Sequence, residues 1–128
     1  YRIATTGTLT YEGGVWNGYI LSCESKSFGS FTVYIDSVPP DIKPMNIHPS
    51  KNMSGVDKIA IKVDDLLSGI RTYRATIDGK WVLMEYDPKI SRLWHNFDER
   101  TQPGDHIFEL TVTDYLRNNA SYKVSFTR

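Results

Sequence analysis

The chain has 128 residues, with 15 basic and 15 acidic side chains and a formal net charge of zero. That length buries one core, with room for a small second unit, and the balanced charge supplies no field to hold nucleic acid or an anionic membrane surface. No apolar run reaches the roughly 18 residues of a transmembrane helix, and no charged stretch followed by an apolar one marks a signal peptide.

In chain order, residues 5–9, 15–21 and 31–36 are the first candidate strands, with Gly13-Gly14 as a turn. Phe31, Val33 and Ile35 alternate and would share one face. So short a stretch rarely makes a stable sheet alone. Because the sequence starts at Tyr1 and not at Met, a longer parent protein is expected, and residues 1–37 are expected to be the tail of an upstream β-domain or else strands packed onto the second unit. Val38-Pro39-Pro40-Asp41 is the expected boundary, since two prolines remove two backbone donors and hold the chain extended.

Residues 38–128 form the second expected unit. Ile59, Ile61 and Val63 alternate with polar neighbours, and so do Tyr73, Ala75 and Ile77. Phe108, Leu110 and Val112, then Tyr122, Val124 and Phe126, repeat the pattern. A period of two with one apolar face predicts half-buried strands in antiparallel sheets. The strands are placed near 42–47, 58–64, 70–78, 80–86, 91–97, 105–114 and 120–127. Turn signals separate them at Ser68-Gly69, Asp78-Gly79, Asp87-Pro88, Pro103-Gly104 and Asn118-Asn119. Asp78-Gly79 is the sharpest, because a type I′ hairpin needs positive φ at both central residues. The fold class expected is all-β: an antiparallel immunoglobulin-like β-sandwich of about seven strands, preceded by a short β segment, with a closed barrel as the rival.

Chemistry is sparse. A catalytic zinc needs nitrogen or oxygen ligands held together, often a short-spaced histidine pair. His48, His95 and His106 stand far apart, and no Gly-x-Ser-x-Gly elbow is present. Each histidine is read as structural or exposed; His106 opens a strand, where it would stabilise the turn before it. Cys23 is alone, so no internal disulfide forms, and it is read as a small buried hydrophobe. The doublets Asp64-Asp65 and Asp98-Glu99 point to opposite sides of a strand and make poor acid/base pairs. The chain is therefore expected not to be an enzyme by itself.

Two binding chemistries remain. Asp41, Asp64, Asp65 and Asp114, with Asn118 and Asn119, fall at strand ends or loops, where they could converge on calcium, which takes roughly six to eight oxygens. No other cofactor is expected. Exposed tryptophans could serve as platforms for sugar rings: Trp94 first, expected to point outward with Arg92 and Asn96, then Trp16 and Trp81.

The segment Ser37-Val38-Pro39-Pro40-Asp41-Ile42 resembles the D-x-x-P-P-x-I start of bacterial Ig-like and fibronectin-type modules. Asp64-Asp65-Leu66-Leu67-Ser68-Gly69-Ile70 is similar to their D-x-x-SGI turn, and Thr76-Ile77-Asp78-Gly79-Lys80-Trp81 to the hairpin after it. Gly104-Asp105-His106 through Asp114 resembles a G-x-H strand leading to a D-x-x-G-N turn, with Asn118 taken at the glycine position. The run from Pro39-Pro40 onward also resembles the non-catalytic C-terminal region of lysostaphin-like zinc metallopeptidases, which act on the cell wall. That resemblance implies a non-catalytic accessory module of a larger cell-envelope protein. It would lie in the periplasm, at the cell surface or outside the cell, as a spacer or docking domain. The implied partners are the adjacent domain of the parent chain, cell-wall glycan or another envelope protein.

Overall fold

The computed structural model describes residues 2–3, 9–65 and 67–128. Among them there is no helix. The first segment holds β1 (Arg2–Ile3), β2 (Leu9–Thr10), β3 (Val15–Asn17), β4 (Ile20–Ser22) and β5 (Ser30–Phe31). These strands are two or three residues long. They pair in the order β2-β1-β5, with β3-β4 as a separate hairpin. The expected strand over 15–21 is thus a hairpin turning at Gly18, and that over 31–36 shrinks to its first residue. The expected strand over 5–9 lies outside the described residues except for Leu9. None of the described residues 9–35 is buried, so this segment has no core of its own.

From the boundary on, the strands are longer. They are β6 (Asp41–Pro44), β7 (Lys51–Asn52), β8 (Lys58–Asp64), β9 (Ile70–Ile77), β10 (Lys80–Val82), β11 (Glu85–Asp87), β12 (Arg92–Asn96), β13 (Asp105–Asp114) and β14 (Asn119–Thr127). One sheet runs β11-β12-β8-β6 and the other β10-β9-β13-β14-β7. All pairings are antiparallel except β14 with β7.

The alternating residues fill a shared core. Ile59, Ile61, Val63 and Leu93 come from the first sheet, and Ala75, Ile77, Phe108, Leu110, Val112, Val124 and Phe126 from the second. Their burial follows from the period of two: every second side chain faces the same way, and removing it from water contributes about 25 cal/mol per Å². Asp78 and Gly79 both have positive φ, 53° and 79°, as the tight β9–β10 turn requires.

The expected strand over 80–86 is two strands on different sheets. Val82 faces inward in the second sheet, Leu83 is exposed, and Met84 is buried on the way to the first. The His95 Nδ1–H donates to the Leu83 carbonyl at 2.8 Å and satisfies the backbone where the chain leaves one ladder for the other. The last turn also departs from expectation. Its positive φ, 66°, belongs to Arg117 and not to Asn118.

Candidate functional site

Three loops meet where the first segment joins the two large sheets. They are the linker after Asp36, the β8–β9 connection and the β13–β14 turn. Each carries an aspartate that accepts from the backbone of its own loop. The Val38 N–H donates to Asp36 Oδ1 at 3.0 Å. The Leu67 and Gly69 N–H groups donate to Asp65 Oδ1 at 3.0 and 3.1 Å. The Leu116 and Asn118 N–H groups donate to Asp114 Oδ1, both at 2.8 Å. Such turns form because a short carboxylate reaches the amide two residues on, which an apolar side chain cannot do.

The loops are then tied together. Ser68 donates to Asp36 Oδ2 through its N–H at 3.1 Å and its hydroxyl at 2.6 Å. The Asn118 side-chain amide donates to Asp114 Oδ2 at 2.8 Å and to the Asp36 carbonyl at 3.0 Å. Asp36 is 4% exposed and Asp114 0%. Asp36 is the only buried residue among the described residues 9–39, so the joint is fixed by a polar anchor and not by apolar packing. Tyr11 adds a ring contact to Tyr115, at 6.1 Å between centroids.

One carboxylate oxygen from each of Asp36, Asp65 and Asp114 lies within 4.8 Å of the others. Burial alone would raise the Asp36 carboxyl, but its hydrogen bonds from the Ser68 hydroxyl and N–H and from the Val38 N–H outweigh burial and hold it below the usual carboxylate range. For Asp65 the balance reverses. Burial pushes it up against the Gly69 and Leu67 donors, and the charges of Asp36 and Asp114 push the same way. The buried Asp65 Oδ2 has no hydrogen-bond partner.

These three are the residues that could hold a cation. Five of their six oxygens, however, already accept N–H or O–H donors, and calcium asks for about six to eight oxygens. The arrangement is built first as a hydrogen-bonded clamp. Of the calcium candidates read from sequence, Asp65 and Asp114 meet here. Asp41 and Asp64 line a pocket of about 390 Å³ with Asp36 and Asp65 but stand outside the triad. Each faces a lysine instead, Asp41 with Lys43 at 3.2 Å and Asp64 with Lys62 at 3.7 Å.

Asp36 was missed by the sequence reading, although a signal for it existed. It is the aspartate of D-x-x-P-P, one residue before the segment used for the resemblance. Likewise Asp114-x-x-Arg117-Asn118 matches D-x-x-G-N with Arg117 at the glycine position, in agreement with its φ.

The three tryptophans do not form one platform. Trp16 lies on β3 and is 63% exposed; Trp81 lies on the edge strand β10 and is 56% exposed. Trp94 is half-buried on β12, opposite Ala60 and Glu85. Cys23 is exposed, which corrects the reading of it as a buried hydrophobe; it sits just past β4, in the segment that has no core to bury it. His106 does secure a turn, with Nδ1 2.6 Å from Asp78 Oδ2 and Nε2 2.5 Å from the Gln102 carbonyl. No protein-family model matches the chain, and no curated protein does either.

Proposed function

We propose that the chain is a non-catalytic, immunoglobulin-like accessory module of a larger extracytoplasmic protein, acting as a spacer or docking domain that holds the preceding β segment in a fixed orientation. The observation that carries this reading is Asp36 in the linker: its buried carboxylate is gripped by Ser68 from one loop and its backbone carbonyl by Asn118 from another. A flexible tether would not invest a buried charge in its joint.

Strand order supports the immunoglobulin-like form. Taking β6, β8, β9, β11, β12, β13 and β14 as A to G, the sheets read A-B-E-D and C-F-G, with β10 as an added strand beside C and β7 as an added strand beside G. The cell-envelope setting rests on the motif resemblance alone.

Two measurements test the proposal. Residues 1–128 are expected to show no turnover of cell-wall peptides; measurable peptidase activity overturns the non-catalytic reading. Backbone ¹⁵N relaxation is expected to give the β3–β4 hairpin the tumbling time of β13, and Asp36→Ala to separate the two. Independent tumbling in the unaltered chain overturns the spacer role.

A further inference from the structure

We propose that the outer face of the five-stranded sheet binds an uncharged glycan, with a sugar ring stacked on Trp81 and its hydroxyls held by Arg74 and Glu109. Burial of Ala75, Ile77, Phe108 and Leu110 turns the alternate residues of β9 and β13 outward. The register then sets Trp81 opposite Thr76, Thr76 opposite Glu109, and Arg74 opposite Thr111. A groove of about 260 Å³, lined by Arg74, Thr76, Gly79, Glu109 and Thr111, runs along this face.

The chemistry of the face selects the ligand class. Trp81 offers a flat apolar ring at the margin of the sheet, a shape that suits the C–H face of a pyranose. Arg74 and Glu109 are exposed. Neither makes a salt bridge or a side-chain hydrogen bond among the described residues. A guanidinium donates only and a carboxylate accepts only, so together they match hydroxyls, which do both. Lys123 stands opposite Glu109 on the same outward face and Asp105 adds a second acid, so the two bases and two acids of the face balance and give a polyanion no net attraction. Trp81 stands beside this groove and not in its lining, and Ile107 is a second exposed apolar side chain on the outward face of β13, so an apolar peptide would find two separated apolar residues and no apolar groove. The hydroxyl row continues from Thr111 to Ser121, their oxygens 3.3 Å apart. The site is separate from the aspartate joint and does not depend on the spacer role.

The test is an NMR titration of ¹⁵N-labelled residues 1–128 with cellohexaose and with chitohexaose, up to about 10 mM so that weak binding registers. The expected result is movement of the Trp81 indole Nε1–H and of the Thr76 and Glu109 amides, while the Trp94 indole stays still. Trp81→Ala, Arg74→Ala and Glu109→Gln are each expected to weaken binding by about tenfold, the scale of one lost anchoring contact, with the melting temperature as a control. If Trp81→Ala fails to fold, the two polar variants decide. The proposal is overturned if neither oligosaccharide moves these signals or if the shifts centre on Trp16 or Trp94. It also falls if the variants bind as the parent does, or if dextran sulfate is preferred.

Discussion

Ser68 grips Asp36 with two donors, its N–H and its hydroxyl, across 32 residues of sequence. Removing the acceptor leaves those donors and the Val38 N–H facing a space with no oxygen. Asp36→Ala is therefore expected to destabilise the chain by about 2–3 kcal/mol. Ser68→Ala, which removes one hydroxyl, should cost about 1 kcal/mol. Urea unfolding followed by fluorescence checks both. An Asp36→Ala midpoint equal to that of the parent would show that the clamp contributes nothing.

Asp65 sits on the unfavourable side of the same cluster. Its folded-state carboxyl is raised above 3.8 by burial and by its two acidic neighbours, so its charged form strains the fold. Below the unfolded value Asp65 is protonated in both states and the penalty is absent; the penalty develops as pH rises through the folded value. Asp65→Asn keeps an oxygen for the Leu67 and Gly69 N–H groups and places an N–H₂ where Oδ2 has no partner. It is expected to stabilise the chain by about 1 kcal/mol at pH 7 and to lose that advantage by pH 3. Paired melts at the two pH values measure it.

The Asp78–His106 pair gives the opposite pH signature. Both ring nitrogens face oxygen acceptors, so the geometry calls for the doubly protonated ring. The Asp78 hydrogen bond holds the His106 pKa above 6.5 against the effect of burial. Burial would raise Asp78, but His106 and the Ile107 N–H together hold it below 3.8. The stabilisation from His106 is complete below 6.5 and is lost as pH rises through its folded value. That from Asp78 is present above 3.8 and is lost as pH falls through its folded value. Stability from the pair is thus greatest between those two limits. Urea midpoints are expected to fall from pH 6 to pH 9, and His106→Asn to flatten that slope. A slope unchanged in His106→Asn would assign it to other groups.

Arg117 holds a φ of 66°, which crowds any Cβ. Glycine escapes that crowding at some cost in chain entropy, so Arg117→Gly should raise stability by about 0.5–1 kcal/mol. Differential scanning calorimetry of the two chains measures the gain. A lower melting temperature would mean that the Arg117 side chain contributes more than its backbone costs.

Much of the sheet framework was legible because burial in a strand leaves a trace every second residue, and Ile59-Ile61-Val63 or Phe108-Leu110-Val112 can be read without a partner. The Asp78-Gly79 turn was equally plain, since its dihedral demand falls on two adjacent residues. The crossing at Leu83 was not legible. Val82, Met84 and Tyr86 keep the period of a single strand, and only the ladder partners show that they belong to two. The joint was half-legible. Each aspartate signals its own turn locally, but the meeting of residues 36, 65 and 114 depends on how three loops fold onto one another. Trp81 was undecidable because β10 is too short for its parity to outweigh its edge position. In the first segment alternation was present, yet no described residue of 9–35 is buried, because periodicity reports amphipathic character and not the presence of something to pack against.

The parallel pairing of β7 with β14 has a mechanical consequence. These strands come from opposite ends of the two-sheet unit and run in the same direction, with Lys51 beside Phe126 and Asn52 beside Thr127. Tension applied between Asp41 and Arg128 pulls them in opposite senses along a shared axis, so their bonds bear the force together in shear and do not peel open one by one. Arg128 reinforces that seam. Its guanidinium reaches the Met53 and Val56 carbonyls just past β7, while its two backbone bonds of 2.9 Å with Gly104 fasten the other side of β14 next to β13. Under such tension the chain meets its stiffest point where the fold fastens its last strand.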